Sequence, residues 1–281
     1  DVACDPLDPT FLGGAGTIDR CRMRRTSDLL LTMELDAVLA LGDLQNDDGR
    51  LDAFQAAFGP TWGRLGRLLR PVPGNHEYVT PGASGYFDYF NGPGVQAGQA
   101  GDRSLGYYSF DLGAWHVVAL NSQCGPEQER RFSRECASGS PQEQWLRADL
   151  AAHPAACTLA FFHHPRFASG TEGRDDVVLP LWQALYDGGA DVVLGGHDHA
   201  YERFAPQDPS GTPDPVRGVR QFVAGTGGHS HQRSLFPEAN SELRNARDFG
   251  ALRIVLRPAA YDWAFITESG VPADAGSAPC H

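Results

Sequence analysis

The sequence predicts a mixed α/β fold in which two stacked mixed sheets are flanked by helices. Short apolar, β-rich runs alternate with amphipathic helical runs through the middle of the chain. The end of the chain is mostly strand, which fits stacked sheets better than one doubly wound parallel sheet. The 281 residues, 41% of them hydrophobic, are ample for a sizeable core and exclude disordered, collagen-like and mini-protein classes.

The elements follow in order. A helix over 27–33, capped by Thr26 or Ser27, leads into a buried strand at 36–41 (DAVLAL). Residues 52–58 and 62–69 read as helices, and 70–72 as a short strand before Pro73-Gly74. Strands at 107–111 and 115–120 flank Leu112-Gly113-Ala114 as a hairpin. Ser140 caps a helix that continues to Ala152, with Pro141 at its first position. A strand at 157–162, a helix at 177–187 and a buried strand at 190–194 come next, and strands near 220–224, 251–256 and 261–267 close the chain. The loops 81–103 and 125–139 are long and rich in Gly and polar residues, and are expected to rim a site. No linker divides the chain, so 1–281 reads as one domain.

Acidic residues outnumber basic ones 35 to 23, for a net charge of −12, and every basic residue is arginine. Such a surface, without basic runs, repels a phosphate backbone, so no nucleic-acid-binding surface is expected. No apolar run approaches the roughly eighteen residues of a membrane span. Six cysteines occur without a Cys-x-x-Cys pair, against zinc-ribbon and thioredoxin readings. An even count fits disulfides, and disulfides fit a secreted or periplasmic protein. Of the possible pairings, those expected join the sequence neighbours Cys4–Cys21 and Cys124–Cys136, leaving Cys157 to tie down the tail at Cys280. The chain opens at Asp1 without the basic start and apolar segment of a signal peptide, and reads as mature or trimmed.

Seven of the ten histidines sit in short motifs: Gly74-Asn75-His76-Glu77, Phe162-His163-His164-Pro165, Gly196-His197-Asp198-His199 and Gly227-Gly228-His229-Ser230-His231. Several of these follow a predicted strand directly, as does Leu41-Gly42-Asp43. A ligand placed just after a strand lies at the sheet's carboxyl edge, where open α/β sheets hold ligands. Each motif alone has an ordinary explanation: Gly-Asp as a turn, His-x-His as two faces of a strand. Together they point to two divalent metals, and a mixed His/carboxylate/amide set suits Zn, Mn or Fe better than Ca or Mg.

The series Gly42-Asp43, Gly74-Asn75-His76-Glu77, His163-His164-Pro165 and Gly196-His197-Asp198-His199-Ala200-Tyr201-Glu202-Arg203 resembles the calcineurin-like metallophosphoesterase superfamily. The last block resembles its purple acid phosphatase branch. The resemblance implies a four-layer αββα sandwich with two metals bridged by a carboxylate and a hydroxide. It makes Asp43 the bridging carboxylate, and Asn75, His163 and His197 the remaining ligands of the second metal. Asp43, His199 and Asp1 would hold the first, with Asn46 as a further candidate. His76 matches the outer-sphere histidine that contacts phosphate or protonates the leaving group. Glu77, His164, His229 and His231 are candidates for substrate or outer-sphere roles. Tyr201, Glu202 and Arg203 are read as structural, bracing the turn behind the ligands.

Three departures from the family pattern follow. The strand that should precede the first aspartate is missing: either it lies upstream of Asp1, or Asp1 is a terminus whose amine reaches the metal. Position 3 is Ala3, so the histidine of the broader Asp-x-His motif is absent, as it is in the purple branch. Asn46 stands where that branch has a tyrosine ligand, which argues against a ferric ion and a purple colour. The resemblance implies an exported hydrolase of phosphate esters acting on a small phosphorylated substrate. The alternatives are a phosphodiesterase or nucleotidase on the same site, or a non-catalytic metal-binding member. Gly-x-Ser-x-Gly is absent, which argues against a serine hydrolase.

Overall fold

The computed structural model describes residues 1–124, 134–171, 173–232 and 236–281. Its strands in chain order are β1 (Val38–Leu41), β2 (Leu69–Val72), β3 (Ala97–Gly98), β4 (Gly101–Asp102), β5 (Tyr108–Leu112), β6 (Trp115–Ala119) and β7 (Cys157–Phe161). They continue with β8 (Val192–Gly195), β9 (Tyr201–Phe204), β10 (Arg220–Ala224), β11 (Ser241–Asn245), β12 (Gly250–Arg257), β13 (Ala260–Thr267) and β14 (Pro272–Pro279). The α-helices are α1 (Met23–Leu31), α2 (Leu51–Ala53), α3 (Asn75–Val79), α4 (Ser84–Asn91), α5 (Pro141–Ala152) and α6 (Leu179–Asp187).

A seven-stranded mixed sheet runs in the order β11-β9-β10-β8-β7-β6-β5. Strands β6, β7, β8 and β10 are mutually parallel neighbours, while β5, β9 and β11 pair antiparallel. On these strands alternate residues divide between two cores, as the period of two requires. Val118, Ala160 and Val193 face the helices, packing with Leu146 of α5 and Trp182 and Leu185 of α6. Val117, Leu159, Phe161 and Leu194 point the other way, onto Tyr261, Trp263 and Phe265 of β13 and onto Val72 of β2. A third core lies beyond β1 and β2, where Met23 and Leu30 of α1 meet Phe54, Phe58, Tyr86 and Phe90. Helix, sheet, sheet and helix thus stack in the expected four layers.

The second sheet comes in two pieces, the parallel pair β1-β2 and the antiparallel β12-β13-β14. Between them lies a cavity of about 490 Å³, lined by Val38–Leu41 on one side and by Gly250–Leu256 on the other. Asp1 and Val2 sit at this cavity too, and Ala3 pairs in parallel with Gln45.

Several expectations need correction. Helix α1 starts at Met23, not at 27, with Arg22 as its N-cap. Thr26 and Ser27 therefore lie inside it, and their hydroxyls return hydrogen bonds to the carbonyls of Met23 and Arg24. Residues 62–68 form a 3-10 helix that breaks at Gly66, where φ is +57°. The expected loop 81–103 contains α4 and the β3-β4 pair. Strands β9, β11 and β14 were not expected, because their sequences lack an apolar run: β14 reads Pro-Ala-Asp-Ala-Gly-Ser-Ala-Pro. Much of the second expected loop, 125–133, lies outside the described residues. The hairpin joining β5 and β6 and the Ser140 cap, which accepts the Glu143 N–H, are as anticipated.

All six cysteines are paired, as Cys4–Cys21, Cys124–Cys136 and Cys157–Cys280. Among the described residues no helix is long and apolar enough to cross a membrane.

Candidate metal centre

Parallel strands end at a common edge of each sheet, and the sequence motifs begin where they end. Gly42-Asp43 follows β1, Asn75 opens α3 just after β2, His163 follows β7, His197 follows β8, and the 225–232 loop follows β10. The side chains converge because two glycines let backbones meet. A Cβ on Gly42, where φ is +79°, would lie 2.6 Å from His163 Nδ1. One on Gly74 would lie 2.3 Å from Asp43 Oδ1.

His163 is fully buried, and its Nε2 lies 3.1 Å from each of Asn75 Oδ1, His197 Nδ1 and Asp43 Oδ2. One ring nitrogen carries either one proton or one lone pair, so it cannot satisfy three such partners. A cation among these four side chains would satisfy them all. The other nitrogen, Nδ1, lies 2.8 Å from the Leu41 carbonyl, which can only accept, so Nδ1 carries a proton and Nε2 is the atom turned to the site.

A second group adjoins it. Asp1, Asp43 and His163 place ligand atoms within 4.8 Å of one another. Asp1 is 3% exposed, and among the described residues neither of its carboxylate oxygens has a hydrogen-bond partner, although Oδ1 is 2.9 Å from His199 Nε2. The Asn46 side chain is buried beside the Asp43 carbonyl, and its Oδ1 is also without a partner. Buried acceptors left bare in this way are costly unless a cation takes them up. The donor set of carboxylates, imidazoles and amides fits divalent transition metals.

The electrostatics agree. Burial alone would raise Asp43, but the histidines at 163, 76 and 197 outweigh it and hold its carboxyl well below the usual range. Burial pushes His199 down to about 4 and His229 down to about 3, so both rings are neutral at ordinary pH, which a ligand role for His199 requires. His76 stands at the rim with its side chain 32% exposed. Its Nδ1 donates to the Asp47 carbonyl at 2.7 Å, leaving Nε2 at 3.8 Å from Asp43 Oδ2. Burial opposes a charge on this ring, yet Asp43 and the Asp47 carbonyl raise its pKa above the ordinary histidine value.

The other candidates surround these side chains, and His164 also places a ring nitrogen within 4.8 Å of ligand atoms of His163 and His197. Glu77 accepts four backbone N–H groups, from Asp43, Leu44, Gln45 and Gly74, so its oxygens are turned to the loop and not to a substrate. His164 packs beside His163 and His197, with Nδ1 at 3.0 Å from Ser122 Oγ. His231 stacks on Phe249, with ring centroids 3.9 Å apart, and its Nδ1 lies 3.4 Å from the His199 carbonyl. His229 stands edge-on to His199 at 5.3 Å. Behind the ligands, Tyr201 and Arg203 bind Asp274, and Glu202 accepts from Ser169 and Ser241. Sequence reasoning missed Ser122 and Ser230, because serine carries no motif signal.

Residues 22–201 match the family model for calcineurin-like phosphoesterase, well over half of the chain. The chain belongs to the calcineurin-like phosphoesterase family. Its relatives include purple acid phosphatases. Purple acid phosphatase 21 of Arabidopsis thaliana is 29% identical over 274 residues, covering 89% of this chain and 57% of the relative. Acid phosphatase type 7 of Homo sapiens is 26% identical, covering 78% of this chain and 54% of the relative. The chain therefore spans little more than half the length of either. In fold it matches the purple acid phosphatase PPD1 of yellow lupin, with a TM-score of 0.71 at 16% identity over 93% of this chain and 50% of that one. It also matches GAP50, the anchor in the inner membrane complex of Plasmodium, with a TM-score of 0.69 at 12% identity over 100% of this chain and 88% of that one.

Proposed function

We propose that this phosphoesterase is an exported, dinuclear-metal hydrolase of phosphate esters on a small phosphorylated substrate. The observation that carries the reading is the crowding of Asn75, His197 and Asp43 at 3.1 Å around His163 Nε2, beside the bare carboxylate of Asp1. Asn75, His163 and His197 would hold one ion, Asp1 and His199 the other with Asn46 near by, and Asp43 would bridge. Two divalent ions bound here supply an activated water and neutralise charge on the phosphoryl group.

The protein's own residues do the rest. Asp43, ionised and hydrogen-bonded through Oδ1 to the His76 N–H at 2.9 Å, stays fixed for bridging. His76 keeps its proton into milder pH, and with Nδ1 tied to Asp47 it presents Nε2 towards the centre. From there it stabilises the transition state and protonates the departing oxygen, a step worth roughly 10²–10⁴-fold. The three disulfides support export.

The test is metal content and turnover of a chromogenic phosphate monoester in His163→Ala, His197→Ala and His76→Ala. The first two should lose metal and turnover together, and the third turnover alone. Full activity in either of the first two removes this site from consideration.

The unpaired edges of β1 and β12 and the apolar cavity between them support one further element of the domain, an extended strand contributed by residues ahead of Asp1. A chain lengthened there by a β-branched strand should melt higher and protect the amides of 38–41 and 250–256 from exchange. An unchanged melt and unchanged exchange would count against it.

A further inference from the structure

We propose that Ser230 is a positioning residue for His199: its hydroxyl oxygen accepts a hydrogen bond from the Nδ1–H of that ring and its O–H donates one to His229 Nδ1, so that His199 offers Nε2 to a cation. This rests on the reading of His199 as a metal ligand. The two nitrogens of His199 face different surroundings. Nε2 is 2.9 Å from Asp1 Oδ1, on the side of the bare carboxylate, and Nδ1 is 2.9 Å from Ser230 Oγ. A ring that binds a cation through Nε2 carries its proton on Nδ1, and that proton needs an acceptor.

A serine hydroxyl accepts this bond and still has one proton to give. His229 Nδ1 lies 3.1 Å from the same Oγ, which completes the order His199 Nδ1–H to Ser230 Oγ–H to His229 Nδ1. Reversing the order would put the proton of the hydroxyl on His199 and leave that ring's lone pair pointing away from Asp1. A cation on Nε2 selects the first order, and Ser230 then holds both the Nδ1 proton and the ring angle.

Ser230 is held for this purpose by its backbone. It bridges antiparallel to Arg20, the Cys21 N–H donates to the His229 carbonyl at 2.9 Å, and the Arg22 N–H to the Gly228 carbonyl at 2.7 Å. The Cys4–Cys21 disulfide anchors that segment, and the Gln232 N–H closes the loop onto the His199 carbonyl at 3.2 Å. The hydroxyl is thus in place before any ion arrives, in the manner of the outer partners that orient metal-bound histidines.

The experiment uses zinc alone as the probe, with the wild type, Ser230→Ala, Ser230→Thr and His199→Ala. Zinc affinity is measured by chelator competition, and imidazole N–H signals of the zinc-loaded protein by ¹⁵N-edited spectra. Ser230→Ala should weaken one of the two sites by roughly 10–100-fold and lose the exchange-protected His199 Nδ1–H signal, while the site of Asn75, His163 and His197 keeps its ion. Ser230→Thr should restore both. Wild-type affinity and an intact Nδ1–H signal in Ser230→Ala would overturn the proposal, and so would loss of both sites without rescue by threonine. His199→Ala separates the two readings. If it still binds two zinc ions, His199 is not a ligand; if it loses one while Ser230→Ala is unaffected, only the role of Ser230 falls.

Discussion

Glu77 holds the loop that carries Asp43: its Oε2 accepts the Asp43 N–H at 2.9 Å and the Gly74 N–H at 2.7 Å. Its Oε1 takes the N–H groups of Leu44 and Gln45 at 2.9 and 3.1 Å. One buried carboxylate thus ties the end of β1 to the end of β2. It also fixes Asp43 in the left-handed region at φ +47°, which a non-glycine residue rarely occupies without such support.

Glu77→Gln should therefore destabilise the metal-free protein. Glutamine offers one acceptor oxygen and turns an NH₂ group towards amides that need acceptors. Leaving such donors unmet costs about 1–3 kcal/mol each. Urea denaturation should show a loss of at least about 2 kcal/mol, with weakened metal retention. An unchanged midpoint would show that the loop holds itself.

Asp274 provides a pH-dependent contribution away from the metals. It accepts from Tyr201 Oη at 2.6 Å, Arg203 Nε at 2.8 Å and Trp263 Nε1 at 3.1 Å. Burial works against ionisation, but these donors outweigh it and depress its pKa below the ordinary aspartate value. A depressed carboxylate stabilises the fold fully above its unfolded pKa of about 3.9 and loses that contribution as pH falls through the folded value. Asp274→Asn should thus cost about 1.5–3 kcal/mol at pH 7, and the gap to wild type should close progressively in denaturation series taken below pH 4. A gap constant across the series would refute the assignment.

The disulfides should be complete in the purified protein. Thiol titration of denatured, unreduced material should find essentially no free thiol. Cys157→Ala with Cys280→Ala should lower stability by roughly 2–5 kcal/mol, because it frees the tail from the start of β7. Six titratable thiols would remove the argument for export.

The protein should be colourless. The resemblance to the purple branch implies a tyrosine ligand at the position of Asn46, and an amide oxygen stabilises a trivalent ion less well than a phenolate does. Tyr78, the nearest tyrosine in sequence to His76, accepts a hydrogen bond from Asn121, and burial pushes its phenol up to about 12. Asp47 is exposed, and Asp48 pairs with Arg50, so neither replaces the missing anion. Divalent metals are therefore expected at the two proposed sites. Asn46→Tyr loaded with iron is the variant in which a visible band should emerge, and an intense band in the wild type would contradict the expectation.

What the sequence determined by itself was local or periodic. The apolar run of 157–161, the Ser140-Pro141 helix start and the Gly113 turn each contain their own cause: side-chain period, a capping oxygen, a residue free to turn. The metal motifs were legible for the same reason, since each follows its strand within a few residues. The tertiary structure decided everything that depends on a distant partner. Strand β14 has no apolar run, and pairing with β13 makes it a strand; Thr26 and Ser27 look like caps, and the Trp62 indole, which donates to Thr26, packs them inside α1. Glu77 beside His76 reads as a catalytic neighbour, and only the folding of 43–45 over it supplies the amides that make it a brace. Ser230 is silent in the sequence because a hydroxyl has no chemistry of its own here until the fold sets two imidazoles on either side of it.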